Sequence, residues 1–333
     1  MKNKSRSSVT RLSLCLVAVG MTASVFGDGY RNPPPTAEGI GKSGVNSVFV
    51  DDASAISYNP ANLALQTNDS LVVAVTFART ENTYKPPIPG ASYESDGDWN
   101  ILPNIYYSQQ AGDQGLAFGL GITTPFGQGL SWKKSDFAPS VGVVAPLSPV
   151  VPYEASIMLI DLNPTVALKL NESVYLGAGL NVYYSKLELK TLLDAAVLPF
   201  PLPPGVYDSK GDADGWGMGG NIGLTWLPAD NQRLTFTYRS RFDVDYEGDF
   251  EVEGVDAGDF EATVKYPNIF GIGYGIQLTD TVQVEALLEW LQWSVNDTQS
   301  LVAGGIANPQ INNWDDTVTV GVGGSWNISD TLI

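Results

Sequence analysis

The sequence predicts an all-β protein: a transmembrane antiparallel β-barrel with a short N-terminal hatch. Three observations predict it. Apolar residues recur at every second position through segment after segment, which is the spacing of strands and not the three-and-four spacing of a helix. These segments run to roughly ten residues, enough for a tilted membrane strand and more than the five or six usual in soluble sheets. Short turns also interleave with long connections, as when short periplasmic turns face long extracellular loops.

Composition fits that class. The chain has 333 residues, 18 Lys+Arg against 36 Asp+Glu, and no histidine. Mean hydropathy is −0.01, because each lipid-facing residue of a barrel strand is followed by one that faces the lumen. After the N-terminus no stretch approaches eighteen apolar residues, which argues against a helical membrane protein. The acidic balance repels phosphate backbones and argues against nucleic acid. Without histidine there is no Ser-His-Asp triad and no His-ligated zinc, so neither an enzyme, a metal nor a cofactor is expected.

Residues 1–27 read as a secretory signal: Lys2, Lys4, Arg6 and Arg11, the apolar run 12–20, then small residues up to a cut after Gly27. Cleavage takes the net charge from −18 to −22 and removes Cys15, the single cysteine, so no disulfide is expected. Apolar residues continue beyond Cys15, which argues against a lipoprotein site.

Residues 28–69 form the expected hatch. They are rich in Gly, Ala and Ser, lack a sustained strand pattern, carry Asp51 and Asp52, and end in the turn-forming Asn59-Pro60-Ala61. Gly39-x-Gly41-x-x-Gly44 satisfies a dinucleotide expression, but PPPTAE precedes it where a buried strand is required, so the glycines are read as packing residues.

Residues 70–333 supply the wall. Leu71, Val73, Val75 and Phe77 share one parity; Trp99, Ile101, Ile105 and Tyr107 follow, then Leu116, Phe118, Leu120 and Ile122. The pattern resumes through 160–168, 174–184 and 216–226. Leu234, Phe236, Tyr238, Phe242, Val244 and Tyr246 then face Thr235, Thr237, Arg239, Arg241, Asp243 and Asp245 on the opposite parity. Segments 270–276, 282–290 and 318–326 complete about ten strands, with an eleventh beginning at Thr331. Long loops are expected near 81–98, 125–157, 190–214, 247–261 and 294–313; two of them, 137–153 and 192–207, are unusually apolar. Tyr184, Trp226, Tyr246, Trp290 and Trp326 suit interfacial girdles. Asp212-Ala213-Asp214-Gly215 is half a calcium loop, broken by Lys210 at its first ligand position.

DDAS at 51–54 followed by NPA at 59–61, together with TPFGQGLSW (124–132), DGWGMGGNIGLTWLP (214–228) and YPNIFGIGYGIQLTD (266–280) in that order, resemble the FadL-type outer-membrane transporters (OmpP1/FadL/TodX family). The resemblance implies fourteen strands, of which about 10–11 are present, so C-terminal strands are expected to be missing. It implies a Gram-negative outer membrane location, contact with its lipid and lipopolysaccharide, and a monomer. It also implies passive transport of long-chain fatty acid or another hydrophobic small molecule, by capture at the loops 190–214 and 247–261, binding in the lumen and lateral exit through the wall. Within the resemblance, Lys186 falls where a basic residue binds the carboxylate, and Gly119 and Gly121 lie where a kink opens the lateral gate. Alternation by itself turns Lys186 outward. Arg239 and Arg241 are the other candidates for ligand binding, from their luminal parity, with pairing to Asp243, Glu285 or Glu289 as the competing role. An aromatic hydrocarbon channel and a structural or adhesive barrel remain the alternatives.

Overall fold

The computed structural model describes residues 29–85, 90–97, 99–112, 115–137, 150–195 and 203–327. The expected signal, Cys15, the tips of the two apolar loops and the start of an eleventh strand lie outside them.

The N-terminal segment is compact and lies inside the sheet. Its helix α1 (Ala37–Gly41) starts where Thr36 Oγ1 accepts the Gly39 N–H at 3.1 Å, an N-cap. Helix α2 (Ala55–Tyr58) leads into a 3₁₀ turn over Pro60–Leu65, with proline in the first position where its missing N–H costs nothing.

The strands are β1 (Ser70–Arg79), β2 (Thr83–Tyr84), β3 (Tyr93–Glu94), β4 (Trp99–Gln110), β5 (Leu116–Thr123) and β6 (Gly127–Ser131). A short helix, α3 (Lys134–Phe137), precedes the three longest strands, β7 (Val150–Asn171), β8 (Val174–Asp194) and β9 (Val206–Ala229). Then come β10 (Gln232–Arg239), β11 (Phe242–Val252), β12 (Val255–Tyr266), β13 (Ile269–Thr279), β14 (Val282–Leu291), β15 (Thr298–Ala303), β16 (Ile306–Ala307), β17 (Gln310–Ile311) and β18 (Thr317–Trp326). Ten of them run β1-β4-β5-β7-β8-β9-β10-β13-β14-β18 as antiparallel neighbours. Strand β6 adds to β7, while β11, β12 and β15 extend the wall above β9, β10 and β13.

The sheet curls around the N-terminal segment, with no ladder between β18 and β1 among the described residues. Ile56 packs against Gly119 and Gly121 of β5, while Val45, eleven residues earlier, packs against Gly321 and Gly323 of β18. β5 is third in the strand order and β18 last, so one short segment touches both only if the sheet curls about it. The outward face is apolar: Leu71, Val73, Phe77, Trp99, Trp216, Val320 and Trp326 are each more than 60% exposed, the band that lipid covers. No helix among the described residues is long and apolar enough to cross a membrane.

Two expectations are corrected here. Strand alternation does not run unbroken from Leu234 to Tyr246. Ser240 and Arg241 stand outside the ladder between β10 and β11, and the parity slips by one. Phe236 therefore faces outward at 43% exposure, whereas Phe242, Val244 and Tyr246 are buried inside and Asp243 and Asp245 face out. Tyr246 is accordingly an interior residue and not a girdle residue. The expected loops 190–214 and 247–261 are mostly strand. Strands β11 and β12 meet at Glu253 and Gly254, whose φ angles of 52° and 73° make a two-residue hairpin turn matched to strand twist. The half calcium loop lies within β9, where Asp212 pairs with Lys210 at 2.8 Å.

Candidate functional site

The N-terminal segment is held by a polar clasp built on Asn59. Its Nδ2 donates to Ser47 O at 3.2 Å and to Thr225 Oγ1 of β9 at 2.8 Å, while its Oδ1 caps the 3₁₀ turn through the Ala61 N–H. Asn62 completes the clasp, donating to the carbonyls of Ser47, Val48 and Val50 and accepting from Thr225 Oγ1 at 2.6 Å. Pro60 and Ala61 press on β8 and β9 so closely that a Cβ at Gly177 would fall on the Pro60–Ala61 backbone, and one at Gly223 on Asn59 and Pro60. Asp52 folds the preceding turn, its Oδ1 accepting from the Ser54 N–H at 2.8 Å and the Ser54 hydroxyl at 2.5 Å. Asp51 points to solvent.

Strand β14 supplies two ionic anchors. Lys42 Nζ meets Glu285 at 3.0 Å and Glu38 at 2.6 Å, and Glu285 also accepts the Val48 N–H at 3.1 Å. Burial would push the Lys42 ammonium down, but Glu285 and Glu38 outweigh it and hold it above its ordinary value. Four residues along β14 from Glu285, Glu289 takes the Arg31 guanidinium through both oxygens, at 2.8 and 3.3 Å. The luminal carboxylates Glu285 and Glu289 thus pair with the N-terminal segment and not with the wall arginines.

Gly119 and Gly121 do not kink β5. Their register to β4 and β7 is continuous, Gly119 opposite Ser108 and Thr165, Gly121 opposite Tyr106 and Asn163. A Cβ at either would meet Ile56, so their missing side chains make room for the N-terminal segment. The ladder breaks just beyond, at 124–126, between β5 and β6. There the N-terminal strand-like stretch fills in: Arg31 bridges Phe126, Asn32 N–H donates to Pro125 O at 3.0 Å, Asn32 Nδ2 to Thr124 O at 2.8 Å, and Gly127 N–H to Tyr30 O at 2.8 Å.

Above that seam lies a cavity of about 670 Å³, within the size range of small-molecule sites. Its walls are the inward faces of β7, β8, β11, β12 and β15, including Val150, Leu187, Leu189, Leu193, Phe250, Phe260, Val264 and Leu301, with Tyr30 reaching in from the N-terminal segment. Polar groups are few, Gln128, Thr191, Gln299 and Asn308 among them, and among the described residues no charged side chain lines it. The lining residues rest on an aromatic floor whose rings do not themselves line the cavity: Phe126 and Phe242 lie 4.9 and 4.5 Å from Tyr266, and Tyr183 stacks on Phe242 at 3.6 Å between ring centroids. Tyr30 joins through Trp314 at 5.1 Å and Trp293 at 6.1 Å.

None of the three predicted cations lines this cavity. Arg239 faces the lumen below the aromatic floor, where its Nη1 pairs with Asp161 Oδ2 at 3.1 Å and donates to the Tyr183 hydroxyl at 3.4 Å. Arg241 sits at the parity slip with an exposed side chain. Lys186 faces outward in register with Asp214, as strict alternation requires. Among the described residues no cluster of His, Cys, Asp or Glu could hold a metal ion. Sequence reasoning missed Asn62, Tyr30 and Phe126. Asn62 had a signal, three residues after Asn59 in a Gly/Ala/Ser-rich segment; Tyr30 and Phe126 gain their roles from contacts far along the chain.

The model of the family described as outer membrane protein transport protein (OMPP1/FadL/TodX) matches residues 19–333. Outer membrane protein P1 of Haemophilus influenzae is 22% identical, with 99% of this chain and 79% of that protein covered. The long-chain fatty acid transport protein of Salmonella typhi is 23% identical over 72% of this chain and 57% of its own length. Among solved structures, the Ralstonia pickettii toluene transporter TbuX superposes with a TM-score of 0.67 at 19% identity, over 88% of this chain and 82% of that one.

Proposed function

The chain belongs to the outer membrane protein transport protein (OMPP1/FadL/TodX) family, and from that premise we propose that it is a passive outer-membrane channel for hydrophobic small molecules. Proteins of this family act as transporters, and this one is read as a channel and not as an enzyme. The observation that carries the proposal is the apolar cavity of about 670 Å³ with no charged lining residue among the described residues. Such a site gains from burying apolar ligand surface, about 25 cal/mol per Å², and offers a free carboxylate no cation. This favours an uncharged hydrophobe over a long-chain fatty acid anion. The fatty acid reading survives for the protonated acid, whose neutral head the same walls accept.

The N-terminal segment serves as the hatch, with Asp52, Asn59, Pro60 and Ala61 shaping it and Asp51 at its surface. Tyr30 touches both parts of the route: its ring lines the cavity, and its carbonyl closes the wall break at 124–126. A ligand that displaces the Tyr30 ring therefore loosens Arg31 and Asn32 from the seam, and the wall opens sideways there and not at Gly119 or Gly121. No energy source is needed.

The test is uptake of labelled toluene and oleate by cells that lack their own such transporter and express the full-length gene, with Leu301→Arg to place a charge in the cavity. Saturable uptake that falls at least tenfold in Leu301→Arg, with the barrel still inserted, is expected. Uptake no better than that of untransformed cells would remove the proposal and bring the adhesive alternative forward.

A further inference from the structure

Beneath the aromatic floor sits a polar node that the transport reading does not use. Asp161 and Asn181 are 1% and 0% exposed. Asn181 Nδ2 donates to Asp161 Oδ2 at 2.7 Å, and Arg239 Nη1 reaches the same oxygen at 3.1 Å. Asp161 Oδ1 and Asn181 Oδ1, both buried, have no hydrogen-bond partner among the described residues. Turning the Asn181 amide over does not help, since its oxygen would then face the carboxylate. A buried acceptor left without a partner is costly, so these two oxygens mark a place for a donor.

The charge of the node limits what that donor is. Asp161 and Arg239 neutralise one another, and an added anion or cation would be an unpaired charge in a dry site. A neutral group that donates to the two free oxygens adds no charge. Arg239 uses only Nη1 in its bonds to Asp161 and Tyr183, so its remaining N–H groups can be accepted by the same newcomer. A hydroxyl does both at once, one donor and two lone pairs on one atom. The node lies between the cavity floor, through Tyr183, and the hatch, through Asn163, Asn221 and the Ile56 carbonyl, at 3.0 and 3.3 Å along that chain.

We propose that Asp161, Asn181 and Arg239 form a subsite for the hydroxyl of an uncharged amphiphile, such as a long-chain alcohol, an alkylphenol or a protonated fatty acid. This rests on the transport reading and specifies its ligand. The head group lies in the node and the apolar tail extends past the aromatic floor toward the cavity.

The test compares equilibrium binding of labelled 1-dodecanol, dodecyl methyl ether and dodecanoate at pH 8 to the full-length protein in lipid nanodiscs. The ether keeps the oxygen and loses the donor. A hydrogen bond to a charged acceptor predicts that dodecanol binds about tenfold or more tightly than the ether, and more tightly than the carboxylate. Asn181→Leu, which removes one free acceptor, and the neutral double variant Asp161→Leu/Arg239→Met, which removes the other together with its charge, each checked for folding by heat-modifiable migration, should lower the alcohol-to-ether ratio severalfold. Equal binding of alcohol and ether by the unaltered protein would overturn the subsite and leave transport standing. Tightest binding by dodecanoate, lost with Arg239→Gln, would instead make the node an anion site. A crystal structure with dodecanol showing an ordered water only at Asp161 would also overturn it. Failure of all three ligands to bind would remove this proposal, while the transport reading stands or falls on the uptake of toluene and oleate.

Discussion

If the glycines of the inner wall are a docking surface for the hatch, one added side chain should unseat it. Gly177 is the sharpest case, because its Cβ would fall on the Pro60–Ala61 backbone, which cannot swing aside as a flexible side chain would. Gly177→Val must push the turn away from β8 and β9 and so pull Asn59 and Asn62 off Thr225. Overpacking of this kind costs about 1–3 kcal/mol, and the two side-chain bonds to Thr225 add about 1 kcal/mol each. The total of roughly 3–5 kcal/mol multiplies the population of the unseated hatch about a hundredfold to a few thousandfold, at 1.4 kcal/mol for each factor of ten.

The reporter is a cysteine at Ser47, a nearly isosteric change at a residue 5% exposed whose hydroxyl makes only a long contact, 3.4 Å, to Thr235. Cys15 is replaced by serine so that the reporter is the one thiol. A maleimide too polar to enter the closed barrel should label Ser47→Cys slowly, and Ser47→Cys/Gly177→Val faster by the factor above. Gly41→Ala is the control, since a Cβ there meets nothing within 4 Å. An unchanged labelling rate in Gly177→Val, in a barrel that still shows heat-modifiable migration, would refute the docking argument.

The same reporter should read the ionic anchor. Lys42→Met leaves Glu285 buried without its cation, a loss of about 3–5 kcal/mol, and labelling should rise steeply; Lys42→Met/Glu285→Gln should recover most of it, because glutamine can still accept the Val48 N–H. Thr225→Val should give a smaller rise, from about 1–3 kcal/mol for the unsatisfied Asn59 and Asn62 groups. Tyr30→Ala removes a ring from the cavity wall and its bond from Gln299 at 2.8 Å, so ligand uptake should become faster and less saturable; slower uptake would separate Tyr30 from the gate. Arg241→Ala and Lys186→Ala should leave uptake unchanged in the same cells, and a clear loss in either would return a cationic head-group site to the outer wall.

Much of this was legible in the sequence because a barrel writes its lipid face at a period of two. Leu71 to Phe77 and Val318 to Val322 are as exposed as their spacing demands. The turn at Asn59-Pro60-Ala61 was legible from local chemistry alone. The slip at Ser240 and Arg241 was not. Apolar residues keep the same parity on both sides of it, but before it they face lipid and after it they face the buried interior. Hydropathy cannot distinguish these two apolar surroundings. The long strand extensions hid for a related reason: above the bilayer, β8, β9, β11 and β12 carry Asp, Glu and Lys outward, which reads as loop to an eye expecting lipid. The clasp was invisible because the partners of Asn62 are backbone carbonyls at 47, 48 and 50 and a hydroxyl at 225.

That inversion is also what makes a binding site possible. A membrane barrel with polar lumen and apolar exterior has no use for a hydrophobe inside it. By slipping one residue at Ser240 and Arg241, the same alternation turns its apolar face inward just where the wall leaves the membrane, and Phe242, Val244 and Tyr246 pass from would-be lipid contacts to interior walls. The acids move outward together, so the cavity is free of charge without any loss of the chain's acidic surface. Below it the lumen reverts to polar groups, and three of the cations there form ion pairs, Arg239 with Asp161, Lys42 with Glu285 and Arg31 with Glu289, while Arg233 donates to the Val48 carbonyl and lies over the Phe49 ring. On the route we propose, a hydrophobe moving inward would meet apolar wall, aromatic floor and a neutral polar node in turn.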